Sequence, residues 1–154
     1  MEGVYRLWVV LRWRRRLDVD KNWGLGMTDI TALAVVQKAL ASDDLEEFVK
    51  LWDPDGVWTH SGSSRISGPH TGHWEITEMA RLVAEVSRGT LRTQSIELVA
   101  AGEDSVLGYF HLEAQRPGAR INQNGFQRWV VRDGKILSLE NVYCDQDEID
   151  KFFE

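Results

Sequence analysis

Two histidines stand in strand-like runs from which a proton could be moved. His60 ends Val57-Trp58-Thr59-His60, whose β-branched and aromatic residues favour an extended chain. Alternation puts Trp58 and His60 on one face of that strand, and Val57 and Thr59 on the other. His111 lies in the longer run 105–115, where Leu107, Tyr109, His111 and Glu113 share a face opposite Val106, Gly108, Phe110, Leu112 and Ala114. Imidazole titrates near neutral pH, which suits abstracting or donating a proton beside a carbonyl or hydroxyl. Tyr109 and Tyr143 can donate to a developing oxyanion, and Glu113 can hold a tautomer of His111. Gln127 and Asn141 can orient a polar ligand, while Trp58 and Trp129 can stack on a flat apolar one. A lone strand histidine is more often a hydrogen-bonded core or surface residue than a catalyst. The catalytic reading therefore needs both rings in one pocket.

Other motifs carry less. His70 and His73 follow His60 closely enough to suggest zinc ligands, but His70 sits in a Gly/Pro loop, His73 opens a helix, and no cysteine or carboxylate cluster completes four ligands. The reading is no metal. Gly24-Leu25-Gly26 lacks the strand context and third glycine of a dinucleotide fingerprint, no phosphate loop is present, and Ser61 and Ser63 lie outside any G-x-S-x-G. Catalysis without a bound cofactor is what remains.

The elements that would position these residues are legible from periodicity. Thr28 can cap a helix with Ile30, Leu33, Val36 and Leu40 near one face, ending at Ser42-Asp43-Asp44. Asp43 and Glu46 have capping-box spacing for a second helix, whose apolar face, Leu45, Phe48, Val49 and Trp52, runs to the tryptophan. Asp53-Pro54-Asp55-Gly56 reads as the turn into the His60 strand. After a Gly/Ser loop, a third helix over 73–88 has Ile76, Met79, Ala80, Val83 and Val86 as its apolar side. Strands follow over 91–101, 105–115, 121–132 and 135–143, separated by turn signals such as Asp133-Gly134, and 145–154 reads as a short helix ending in Phe152-Phe153. This is an α+β layout.

At 154 residues, 43% hydrophobic, the chain suits one domain with a core and a small pocket. The net charge of −6 divides into +3 over residues 1–26 and −9 over 27–154, so the body is no electrostatic nucleic-acid binder. Residues 1–26 interleave Trp8, Trp13 and Trp23 with arginines. Such an extension reads first as a leader from an upstream start codon ahead of a domain at 27–154, second as an arm packing on the domain or a partner. An aromatic-basic patch for RNA or anionic membrane is the third reading. The run Leu7 to Leu11 is too short to span a bilayer, so no membrane or nucleic-acid partner is expected. Cys144 is the only cysteine, which fits a reducing compartment, with cytoplasm as the default.

This element order, with LWDPDGVWTH, the G-x3-G of Gly68 and Gly72, and the late VRDGKILSLENVY, resembles the NTF2-like superfamily over about 28–153, particularly its SnoaL-like branch. The resemblance implies a cone: three N-terminal helices on a strongly curved, mostly antiparallel sheet enclosing a pocket, and a homodimer through the sheet's outer face. The ketosteroid isomerase branch places pocket side chains at positions matching Leu107, Tyr109, His111 and Glu113, then Gln127, Trp129, Leu139, Asn141 and Tyr143. This facing reverses what alternation alone suggests for 105–115, where the apolar set would face the core. His60 matches that branch's catalytic aspartate, but its oxyanion-hole tyrosine matches Val36 and its carboxylic-acid donor matches Gln127. Steroid isomerisation by that mechanism is not supported. The scytalone dehydratase branch uses a pair of pocket histidines around a water, whereas the Asp-Arg-Asp set of limonene-type epoxide hydrolases is missing from the inward positions.

The expectation is a cofactor-independent SnoaL-like enzyme that cyclises, dehydrates or isomerises a hydrophobic polyketide-like or polycyclic substrate. His60 serves as base, His111 as acid or water-holder, Tyr109 and Glu113 as their partners, and Trp52, Trp58, Gln127, Trp129, Leu139, Asn141 and Tyr143 bind the substrate. The alternative is a non-catalytic binding or interaction protein of the same fold.

Overall fold

The described part of the chain, residues 31–154 of a computed structural model, begins at a helix cap. The Thr31 hydroxyl accepts the Ala34 amide at 3.2 Å and starts α1 (Ala32–Ala41), which buries Val35, Val36, Ala39 and Leu40. The expectations for residues 1–26, and for a cap at Thr28, lie outside the described residues. Asp44, not Asp43, caps α2 (Leu45–Lys50): its Oδ1 accepts the Glu47 amide at 3.0 Å. The doubled acids of Asp43-Asp44-Leu45-Glu46-Glu47 fit both registers, and the helix takes the later one.

The second helix stops before Trp52, which belongs to β1 (Trp52–His60). Residues 53–56 are accordingly a bulge within a strand and not the turn before one. Trp52 pairs with Ile136 and Val57 with Ser138 of a neighbouring strand, so four residues of β1 bypass Leu137 alone. The Asp53 carboxylate accepts the Asp55 amide at 2.9 Å and satisfies the excursion locally. A strand absent from the sequence reading follows, β2 (Gly68–Thr71), antiparallel to β1 at the sheet edge. Pro69 tolerates an edge position, where one row of amides has no partner strand. Gly72 then opens α3 (Gly72–Val86) with φ 79, its α-carbon tucked under the Pro54 carbonyl.

The remaining elements lie close to the sequence reading: β3 (Arg92–Ala100), β4 (Ser105–Arg116), β5 (Ala119–Arg132), β6 (Lys135–Tyr143) and α4 (Gln146–Phe152). Asp133 and Gly134, both at positive φ, close a tight β5–β6 hairpin. The six strands form one curved, unclosed sheet in the order β2-β1-β6-β5-β4-β3, with β1 and β6 parallel and the other neighbours antiparallel. This crossover carries His60 to the position opposite Asn141.

β4 faces the opposite way from what the family resemblance implied. Val106, Phe110, Leu112 and Ala114 are buried, while Leu107 is 47% exposed and Glu113 is exposed. The register explains why: Gly108 pairs with Gln127 and Val106 with Trp129, and directly paired residues share a face. With Gln127 and Trp129 inside, Tyr109 and His111 point outward. A one-residue offset in the analogy is enough to invert a whole strand.

Two apolar clusters fill the concave side. One joins α1 to Trp52, Trp129, Ile136 and Leu139; the other joins Phe110, Leu112 and Ile121 to Ile149, Phe152 and Phe153. No helix among the described residues is long and apolar enough to cross a membrane.

Candidate functional site

Where the two clusters meet, a cavity of about 160 Å³ opens between α3 and the concave face of the sheet. Met79, Ala80 and Val83 line it from α3, Phe110 and Leu112 from β4, Trp129 from β5, Leu139 from β6, and Phe153 from beyond α4. Among the described residues, none of its lining side chains is a carboxylate, an ammonium or a guanidinium. Its polarity comes from His60, Gln127, Asn141 and Tyr143, with Ser87 and Thr93 at the margin. Such a lining suits an apolar ligand held in orientation by a few polar atoms.

His60 is the centre of that polar group. Its ring lies between Trp58 (centroids 5.2 Å apart, planes 26°) and Tyr143 (6.2 Å, 8°) and is 5% exposed. Nδ1 is 2.7 Å from the Tyr143 hydroxyl. Nε2 is buried and has no hydrogen-bond partner among the described residues. Such an atom costs on the order of 1–3 kcal/mol, so a native structure that keeps one invites a reason. Burial first, then the neighbouring His70, push the His60 imidazole down to about 3, which keeps it neutral at physiological pH. Burial also pushes the Tyr143 phenol up, with the nearby Asn141 side chain acting the other way, so Tyr143 stays protonated. Behind this pair, Trp58 Nε1 donates to Asn141 Oδ1 at 3.1 Å, and deeper in, Trp129 Nε1 donates to Gln127 Oε1 at 3.3 Å.

Seven of the residues singled out in the sequence thus converge: His60, Trp58, Gln127, Trp129, Leu139, Asn141 and Tyr143 all line the cavity. Trp52 does not. It is 1% exposed and stacks behind Trp58 at 5.8 Å, as part of the core. His111, Tyr109 and Glu113 do come together, but on the outer face: His111 Nδ1 meets Asn124 Oδ1 at 2.7 Å, Nε2 meets Glu113 at 3.2 Å, and Asn124 donates to Tyr109. They cannot share the cavity with His60. The ring nitrogens of His70 and His73 are engaged by the Ile66 and Trp52 carbonyls, at 2.8 and 2.9 Å.

Several cavity residues escaped the sequence reading. Phe110 and Leu112 had a signal, the apolar face of their strand, which the family analogy overrode. Met79, Ala80 and Val83 show in the sequence as an apolar helix face, a signal that does not distinguish core from pocket wall. Ile66, almost fully buried in the Gly/Ser loop, had no signal at all.

Residues 32–139 match the family of SnoaL-like domains. Solved structures share the fold. They include Bal32a from a soil-derived mobile gene cassette, 21% identical over 80% of this chain and 96% of that one, TM-score 0.75. A protein of unknown function with a cystatin-like fold from Xanthomonas campestris is 25% identical over 80% and 98%, TM-score 0.74. A putative polyketide cyclase from Sinorhizobium meliloti is 19% identical over 75% and 95%, TM-score 0.57. No curated protein matches the chain significantly.

Proposed function

The chain belongs to the SnoaL-like domain family, and from that premise we propose that it is a cofactor-independent enzyme that cyclises, dehydrates or isomerises a hydrophobic, carbonyl-bearing polyketide-like or polycyclic substrate. The observation that carries this reading is the unpartnered Nε2 of His60, held neutral inside an apolar cavity and backed by Tyr143. His60 is the side chain that meets the reacting atoms, and Tyr143 is its positioning residue. The polyketide cyclase description attached to the Sinorhizobium protein points the same way.

Enolisation is the step shared by these reactions, so exchange of a ketone's α-hydrogens for deuterium tests the class without the natural substrate. The protein in D2O should exchange the α-hydrogens of β-tetralone, an enolisable bicyclic ketone, faster than buffer does, as followed by proton NMR. His60→Ala should lose about a hundredfold or more of that acceleration. His111→Ala, on the outer face, should keep it. The mostly apolar lining, with no carboxylate among the described residues, favours a second reading, a binding protein. Tight binding of the ketone with exchange at the buffer rate would establish that reading and end the enzymatic one.

The proposal includes a homodimer through the outer sheet face and cytoplasmic residence, the latter from the single cysteine. Phe126 and Val142, cross-strand neighbours, are 53% and 54% exposed beside the half-exposed Leu107, an apolar patch of the kind that marks interfaces. Sedimentation should find a dimer at micromolar concentration, weakened tenfold or more by Phe126→Arg. A wild-type monomer removes the dimer from the proposal.

A further inference from the structure

Two indole N–H groups set the polarity of the cavity. An indole N–H only donates. Trp58 therefore occupies the Oδ1 of Asn141, and Trp129 occupies the Oε1 of Gln127, which fixes the orientation of both amides. The buried Tyr143 hydroxyl has one hydrogen-bond partner among the described residues, His60 Nδ1, 2.7 Å away, and its proton points there. If His60 Nδ1 were instead the donor, the phenolic proton would lack an acceptor inside a buried site. The bond thus runs one way, from Tyr143 into Nδ1, and leaves the His60 proton on Nε2. That is the buried atom without a partner. The N–H₂ of Gln127 also has no partner among the described residues.

We infer that the cavity is a donor-only site for the carbonyl or enolate oxygen of an apolar ligand, met by His60 Nε2–H and Gln127 N–H₂. Tyr143 is the positioning residue for the first donor, and Trp129 for the second. The inference rests on the pocket reading above and gives it a direction: His60 meets the ligand's oxygen as a hydrogen-bond donor, and in the enolisation step the α-proton passes to solvent water or hydroxide, since a donor-only site supplies no base. A neutral imidazole is suited to polarising a carbonyl in this way. His60, Gln127 and Asn141 are each more than nine-tenths buried, so bulk solvent screens these donors little and their orientation selects among ligands.

The test uses the whole chain with two probes of one skeleton, β-acetylnaphthalene and β-ethylnaphthalene, which differ in the carbonyl. Tryptophan fluorescence should show the ketone bound at least tenfold more tightly, as one well-placed hydrogen bond gives. A long-range proton–nitrogen NMR spectrum of the free protein should show the His60 proton on Nε2. Tyr143→Phe removes the donor that holds Nδ1 as an acceptor, and should reduce the preference, read as the ratio of the two affinities, to threefold or less. Equal affinity of the wild type for both probes, or a proton on Nδ1, overturns the inference. Binding of neither probe overturns the pocket reading itself, whereas ketone preference without α-hydrogen exchange ends the enzymatic reading and leaves the donor site standing.

Discussion

As the pH falls from about 6.5 towards about 3, the folded chain loses stability, and replacing His60 removes a large part of that loss. The ring is held near 3 in the folded protein by burial and by His70, whereas the unfolded chain returns it to its ordinary value of 6.5. Between these values the unfolded state carries a proton that the folded state does not, so each step towards acid favours unfolding. The His60 contribution is fully present above the unfolded value and is lost as pH drops through the window. At roughly 1.4 kcal/mol per pH unit, the whole window amounts to on the order of 5 kcal/mol, a large share of a typical domain's stability. Trp58, Tyr143 and His70 are the rings around it, and among the described residues no carboxylate lines the cavity to hold the charged form. Urea unfolding of wild type and His60→Gln at pH 7, 5.5 and 4.5 checks this. The variant should be less stable at pH 7, having lost the ring between Trp58 and Tyr143, but its stability should fall less steeply with acid. Parallel curves would show that His60 is charged in the folded state or already neutral in the unfolded one, and the description of the site would fail with it.

What the sequence could show about this site depended on distance along the chain. Trp58 and His60 are two apart, and alternation alone puts them together, as the stacked rings do. Asp133-Gly134 identifies its hairpin from two residues, since both need positive φ. The bond from Tyr143 to His60 spans 83 residues and depends on β1 entering the sheet beside β6, which no local pattern encodes. β2 was invisible for a different reason: Gly68-Pro69-His70-Thr71 has the composition of a loop, and only an edge position accepts its proline. β4 shows local physics and analogy in conflict. Its apolar set reads inward by alternation and is inward in the structure; the imported facing failed because family resemblance conveys topology more securely than register. With that facing corrected, His60 and His111 lie on opposite faces of the sheet, and the ring partner of His60 is Tyr143.

Gly125→Val should be among the most damaging single substitutions in the strand core. Gly125 pairs with Phe110 on one side and Tyr143 on the other, and a β-carbon there would come within 2.5 Å of Phe110 Cζ and 2.8 Å of the Val142 carbonyl oxygen. The carbonyl is fixed by the β5–β6 ladder. Phe110 is 2% exposed and stands edge-on to Tyr143, so it has nowhere cheap to move. Strand glycines of this kind mark a close approach, here the ring of a cross-strand neighbour lying over bare backbone. Overpacking by one methyl group costs about 1–3 kcal/mol, and valine roughly 3 or more, which lowers the melting temperature by on the order of 10 °C. A double-mutant cycle separates a steric clash from a weakened strand. Phe110→Ala alone should cost about 3–5 kcal/mol through the void it leaves. Together with Gly125→Ala, it should cost at least 1 kcal/mol less than the sum, because the new methyl group occupies space the ring has vacated. Additive losses would mean that Gly125 matters for backbone geometry and not for Phe110. The same cycle reaches the site, because Phe110 is packed on Tyr143 and Tyr143 orders His60. Gly125→Ala should therefore narrow the ketone preference of the cavity in a protein that still folds, and restoring room at Phe110 should widen it again.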